Sequence, residues 1–331
     1  MSERLSVDYE EIMAFEIGTA SHAADLLLKL EKFLTTNPTL VAAGQQWESL
    51  KDNTVAPYNN SYDLNALDNF VLQRCFVGRG MDGQERIYVP MELYISKTTQ
   101  AYNLISRLAR TWTPSKPINQ QYTQSESSYA VLPLWEKPIQ YWFFANGRRF
   151  IIVSKIGLMY TSMYCGFILP SGTDREYPYP LLLAGVHTRT KGTRTFTNSE
   201  TNGSFWIPVK YSDGSNISSS ACIISPENRL IYGRTGARGG QYKPAEMFVL
   251  KPYNTKFDIG KTLDGQYVLM PIEIVQTEQV FNFLGWYDGA FFVSGYENSP
   301  ENILTVNGAK YICFPSAIGS NILDWCAIKM E

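Results

Sequence analysis

Ile139-Gln-Tyr-Trp-Phe-Phe-Ala-Asn-Gly-Arg-Arg-Phe-Ile-Ile-Val-Ser154 decides how this chain is read. Two runs of aromatic and β-branched residues flank Asn146-Gly147, the dipeptide that most strongly marks a two-residue hairpin turn. Such a turn predicts Phe143 opposite Phe150 and Tyr141 opposite Ile152 on one face. On the other face it predicts Trp142 opposite Ile151 and Gln140 opposite Val153. Both faces are then apolar, and such a pair needs cover on both sides: from helices, from a second sheet, or from another protein chain. The last option makes Tyr141, Trp142, Phe143, Phe144 and Phe150 candidate interface residues.

Outward from the hairpin, the N-terminal side mixes helix and strand. Residues 1–20 form an acidic arm, Glu3, Asp8, Glu10, Glu11 and Glu16 against Arg4, expected to be ordered by a neighbour. Ser21 can cap a helix in which Leu26, Leu27, Leu30, Phe33 and Leu34 share one face, and Asn37-Pro38 stops it. A second helix is predicted between Ser96 and Trp112, where Tyr102, Ile105, Leu108, Ala109 and Trp112 form a stripe. Between the two, Asn69 to Val77 and Glu85 to Ile95 read as strands. Residues 115–128, rich in Pro, Gln and Ser, read as a loop or linker. Beyond them, Asn-Gly or Asp-Gly pairs at Asn146, Asn202, Asp213, Asp264, Asp288 and Asn307 punctuate a sheet built from hairpins. Around Asn307, Leu304, Val306, Ala309 and Tyr311 fall on one face, Thr305 and Lys310 on the other. The fold class expected is α+β: an N-terminal α+β region with two main helices over 21–114, then a predominantly antiparallel β region over 129–331.

A chain of 331 residues, 44% hydrophobic and 18% charged, builds a substantial core. Its net charge of −2 offers nucleic acid no global attraction. No apolar run approaches the roughly 20 residues that span a bilayer, and the acidic N-terminus lacks a signal-like apolar core. Membrane insertion is therefore not expected, and synthesis in a cytoplasm is. The five cysteines, scattered through apolar surroundings, read as buried free thiols. With two histidines, His22 and His187, and no Cys-x-x-Cys or His-x-x-x-His spacing, neither metal nor cofactor is expected. Gly78-Arg-Gly80-Met-Asp-Gly83 spells a dinucleotide-binding pattern, but a strand-like run follows where a helix N-terminus would have to face the pyrophosphate. Asp82-Gly83 reads instead as a hairpin turn. No nucleophile elbow occurs, and acidic pairs such as Asp174 with Glu176 are commonplace in loops, so no catalytic residue is nominated and the chain reads as a non-enzyme. Aromatic residues reach 14%, a level that suits cores, permanent interfaces or sugar-stacking surfaces.

Residues 185–243 break with the acidic remainder. Eight Lys and Arg there stand against Glu200, Asp213 and Glu227, a local net of +5. Rich in Gly, Ser, Thr and Asn, the segment is expected to form extended loops facing outward or toward a partner. Arg189, Arg194, Arg234 and Arg238 are its candidate contacts to acidic groups.

Several pieces of the chain carry a likeness. They are Ala14-Phe-Glu-Ile-Gly-Thr-Ala20, Leu40-Val-Ala-Ala-Gly-Gln-Gln-Trp-Glu48, residues 132–153, Phe167-Ile-Leu-Pro170 and Tyr177-Pro-Tyr-Pro-Leu181. To these add Gln266-Tyr-Val-Leu-Met-Pro-Ile272, Asp288-Gly-Ala-Phe291, residues 301–311 and Asp324-Trp-Cys-Ala-Ile-Lys329. Together they resemble a family of virion structural proteins of tailed bacteriophages and prophages. The resemblance implies a tail or baseplate component, assembled in the host cytoplasm. It also implies multiple copies in a symmetric assembly, held by permanent contacts to other virion structural proteins. It brings no catalytic residues. A neck or collar protein, or a carbohydrate-binding module for host-surface recognition, are the alternatives.

Overall fold

The computed structural model describes residues 12–50, 69–80, 86–96, 98–106, 113, 129–170, 181–188, 204–206, 221–224, 230–235, 261, 265–276, 282–316 and 325–331. Most of them form antiparallel β-sheet. Strand β1 (Ala14–Ala20) leads into helix α1 (Ala23–Thr36), the short helix α2 (Pro38–Ala42) and β2 (Glu48–Leu50). Next come β3 (Asn69–Gly78), β4 (Ile87–Ser96), β5 (Ala101–Ser106) and β6 (Tyr129–Leu134). The middle of the chain gives β7 (Ile139–Ala145), β8 (Arg149–Ile156), β9 (Met159–Phe167), β10 (Leu169–Pro170), β11 (Leu181–Ala184) and β12 (Val186–Thr188). The last third gives β13 (Ala221–Ile224), β14 (Leu230–Thr235), β15 (Met270–Gln276) and β16 (Asn282–Val293). It ends with β17 (Ile303–Val306), β18 (Ala309–Pro315) and β19 (Trp325–Lys329).

Helix α1 forms where its apolar period requires, with Leu26, Leu27, Leu30, Phe33 and Leu34 buried. Its N-cap is His22 rather than Ser21: Nδ1 accepts from the Asp25 N–H at 3.2 Å, while Asp25 Oδ2 accepts from the Ser21 N–H at 2.7 Å. Asn37 ends α1 and starts α2, its Oδ1 accepting from the Thr39 N–H, with Pro38 in the first turn where no N–H is missed.

The second predicted helix is corrected. Ala101–Ser106 is strand β5, buried along its whole length, and residues 107–112 lie outside the described residues. A turn over Thr98 to Gln100, with Gln100 at φ 52°, sets Ala101 opposite Ser96. A strand buried on both faces loses its two-residue alternation, and Tyr102 and Ile105 then mimic a helical stripe. Strands from both sides of residues 115–128 share this sheet, since β5 pairs with β6.

The strands make two sheets. The smaller runs β12-β6-β5-β4-β3-β2; the larger runs β1-β7-β8-β9-β11-β13-β14-β15-β16-β19-β18-β17, with β10 on β16. Strand β10 continues β9 past Ile168 and sets Leu169 opposite Trp286, so the path from β9 through β16 closes on itself. The Asp288-Gly289 pair is no turn but lies inside β16.

Layers stack on both faces of β7 and β8. On one face Phe143 meets Phe33 of α1 at 5.6 Å between ring centroids, and Phe150 meets Trp47 edge-on at 5.0 Å. Leu72, Val89, Leu93 and Leu104 of the smaller sheet join that core. On the other face Trp142 meets Phe314 of β18 at 5.1 Å, in a second core with Ile272 of β15, Phe292 of β16 and Ile328 of β19. The larger sheet thus folds over its own first strands. Each fully buried aromatic or aliphatic side chain contributes about 1.5–3 kcal/mol, so this doubly covered hairpin contributes strongly to the stability of the described layers.

Candidate functional site

The hairpin turn is a polar centre set in this apolar stack. Its register is corrected: Ala145 stands opposite Phe150, Phe144 opposite Ile151, Phe143 opposite Ile152 and Trp142 opposite Val153. Each partner differs from the expected one by two residues, one strand period, so the faces are as predicted. Asn146 is the cause. Its N–H donates to the Arg149 carbonyl at 3.0 Å, and its Oδ1 accepts from the N–H groups of Arg148 and Arg149 at 2.9 and 3.0 Å. Gly147 and Arg148 therefore form the loop. Gly147 is not in the left-handed region; a Cβ there would lie 2.2 Å from the Gly80 carbonyl oxygen. Close backbone approach is what calls for glycine.

Three elements converge on the turn. The Gly147 carbonyl accepts from the Gly80 N–H at 3.0 Å, just beyond the end of β3. The Gly147 N–H donates to Gln45 Oε1 at 3.0 Å, and Trp47 Nε1 donates to the Asn146 carbonyl at 2.8 Å. Behind them lies a buried ion pair: Arg149 Nε donates to Asp288 Oδ2 at 3.3 Å, and Asn146 Nδ2 donates to the same oxygen at 2.9 Å. The Asp288 N–H donates to the Tyr164 hydroxyl, which donates in turn to the Phe167 carbonyl. Gly289, at φ 71°, leaves space for the guanidinium, since a Cβ would lie 2.1 Å from Arg149 Nη2. Burial first, and the Asp288 charge second, push the Tyr164 hydroxyl far above its ordinary value, so it stays a donor. A carboxylate neutralised by a guanidinium, both out of reach of solvent, fixes β8 against β16 and offers no access to a substrate.

Two further polar ties bind the layers. Glu301, at φ 66°, accepts on Oε1 from the Tyr160 hydroxyl at 2.6 Å and from Lys155, bringing the loop before β17 onto β8 and β9. Glu31 of α1 accepts from Arg74 Nε and from the Ser49 hydroxyl, each at 2.7 Å, which joins the helix to the smaller sheet.

The nominated interface residues divide. Trp142, Phe143, Phe144 and Phe150 are fully buried and Tyr141 nearly so, all within the chain's own cores, so their rings are not open to a partner. Arg234 stands in β14 opposite Val275. Arg189, Arg194 and Arg238 lie outside the described residues, as do Asp174 and Glu176. Residues 185–243 are not wholly outward loops: β12, β13 and β14 belong to the sheets, and Phe205 packs fully buried against Tyr164 at 5.7 Å and Tyr287 at 5.0 Å. Cys75, Cys165, Cys313 and Cys326 are buried free thiols.

Asp288, Arg149 and Trp47 were not nominated from the sequence. A signal existed: Asp288 is the lone charge in the apolar run from Phe283 to Val293, and a charge there requires a buried partner. Among the described residues, no three His, Cys, Asp or Glu side chains gather closely enough to hold a metal ion, and no helix is long and apolar enough to cross a membrane. Compared with known protein families and with curated proteins, the sequence matches none of them.

Proposed function

We propose that this chain is a structural subunit of a tailed-phage virion, in the tail or baseplate, acting through lasting contacts to other particle proteins rather than through catalysis. One observation carries the reading. Segments on which the resemblance rests are remote in sequence, yet they meet at the polar centre: Trp47 from 40–48, Asn146 and Arg149 from 132–153, and Asp288 from 288–291. Lys155, just past the second of these, reaches Glu301 of 301–311 in the same way. The likeness therefore covers the residues that hold the layers together, which supports a shared architecture. Glu16, Glu31, Asp288 and Glu301 each accept a hydrogen bond from this chain's own Tyr, Arg, Lys or Ser side chains, which supports a framework role.

A carbohydrate-binding module would present coplanar exposed aromatic rings. Among the residues whose side chains are described, Tyr296 is the one exposed aromatic, and most of the others lie in the cores. A neck or collar position uses the same features as a tail position, and fractionation separates them. Mass spectrometry of particles purified from cells carrying the gene, followed by separation of tails from heads, is the test. The expected result is this protein in the tail fraction at a fixed copy number, with defective particles when the gene is deleted. Intact, infectious particles lacking the protein would overturn the proposal.

A further inference from the structure

Each sheet ends in edge strands, and they are not alike. Among the described residues the smaller sheet ends in β2 and β12, three residues each, and the larger ends on one side in β17, four residues. Such short edges give an incoming strand little to pair with. The other end of the larger sheet is β1, seven residues long, paired with β7 without a bulge and with no strand on its outer edge among the described residues. It contains no Lys, Arg or Pro, and its single charge, Glu16, is turned inward to accept from the Tyr141 hydroxyl at 2.8 Å. Among the described residues Glu16 is thus the one device against edge pairing on this strand, which has no bulge, Pro, Lys or Arg and no covering segment. Ile17, at the midpoint of the strand, is 52% exposed.

We propose that β1 docks against β1 of a second copy of this chain, antiparallel, about a two-fold axis at Ile17. The strand is self-complementary in that register. All seven residues pair, since Ile17 is equidistant from Ala14 and Ala20. Ile17 faces Ile17 of the partner subunit and Phe15 faces Thr19 of the partner subunit, apolar and β-branched pairs that favour antiparallel strands. On the other face Glu16 meets Gly18 of the partner subunit, so the two carboxylates never stand opposite one another. Centring the axis on Glu16 would oppose them directly, and centring it on Gly18 would leave Ala14 and Phe15 unpaired. The contact joins two larger sheets into one continuous sheet; a single pair of seven-residue strands is a small contact, so weak, reversible association is expected, on the order of 10 µM. It extends the structural-subunit reading by naming one contact between copies, and it stands or falls on purified protein, independently of particle composition.

Sedimentation velocity on the full chain, from about 1 to 200 µM, brackets that range. A reversible monomer–dimer equilibrium is expected. Under mild oxidation Ile17→Cys should form an intermolecular disulfide, because opposed Cα atoms of antiparallel strands lie about 4.5–5.5 Å apart, within disulfide reach. Thr19→Cys should not, because it faces Phe15 of the partner subunit. Ile17→Lys, at an exposed position, should keep the melting temperature and weaken dimerisation at least about tenfold. Should that variant lose stability, the two cysteine variants decide. A wild-type monomer throughout, cross-linking of Thr19→Cys as readily as Ile17→Cys, or a folded Ile17→Lys variant that dimerises normally would each overturn the proposal.

Discussion

Asp288 is the residue on which most of the molecule turns. It neutralises Arg149 inside the protein and also holds Asn146, so Asp288→Ala strands a buried guanidinium. Equilibrium urea unfolding should show a loss of about 3–5 kcal/mol, and replacing the pair together, Arg149→Met with Asp288→Leu, should recover most of it. A double variant no better than the single one would show that the two charges do not act as a pair. Buried acids give a second prediction. Burial, then hydrogen bonding to Glu136, pushes Tyr102 from 10.0 up to about 12, and burial pushes Cys313 from 9.0 up to about 11. Both groups are neutral when protonated, and the unfolded chain releases these protons before the folded one does. Their contribution is complete below the unfolded values and is lost as pH rises through the folded ones. The melting temperature should therefore fall between about pH 9 and pH 12, less steeply in Tyr102→Phe. At this scale the sequence told which face each hairpin residue occupies, because strand period alone decides that. It did not tell the register, which Asn146 Oδ1 and the nearby Gly80 backbone settle through bonds invisible to pattern.

Among the elements, two turns with the same dipeptide behave differently. Asn307 and Gly308, at φ 52° and 82°, make the two-residue turn that Asn-Gly signals, and Val306 pairs with Ala309 as expected. At Asn146-Gly147 the glycine answers to a neighbouring backbone instead. Gly308→Asn, in open space and in a conformation Asn tolerates, should change stability by less than about 1 kcal/mol. Gly147→Ala forces the loop at Gly80 to move and should cost about 1–3 kcal/mol. Thermal denaturation of the two variants checks the ranking, and the reverse order would mean that backbone dihedral, not close approach, governs Gly147. Helix α1 was legible because its one buried face keeps a 3.6-residue period next to a polar face. Strand β5 was not, because complete burial erases the alternation that distinguishes a strand.

For the whole molecule, the aromatic residues of the described segments pack mainly into two cores that share the β7–β8 hairpin. Antiparallel hairpins were legible from turn residues. The pairing of β1 with β7, the closure of β10 on β16 and the folding of the larger sheet over itself were not, since each joins segments more than a hundred residues apart that no local pattern connects. Among the described residues the hairpin is covered by this chain's own layers, and the outward role proposed above falls to the edge of β1 instead. Native-state hydrogen exchange on the dilute, purified protein tests that division most directly. Amides of Tyr141 to Phe144 and of Phe150 to Val153 should be among the slowest in the molecule, exchanging only through global unfolding, with no partner present. Rapid exchange of those amides in the isolated chain, slowing only after assembly with other proteins, would contradict it.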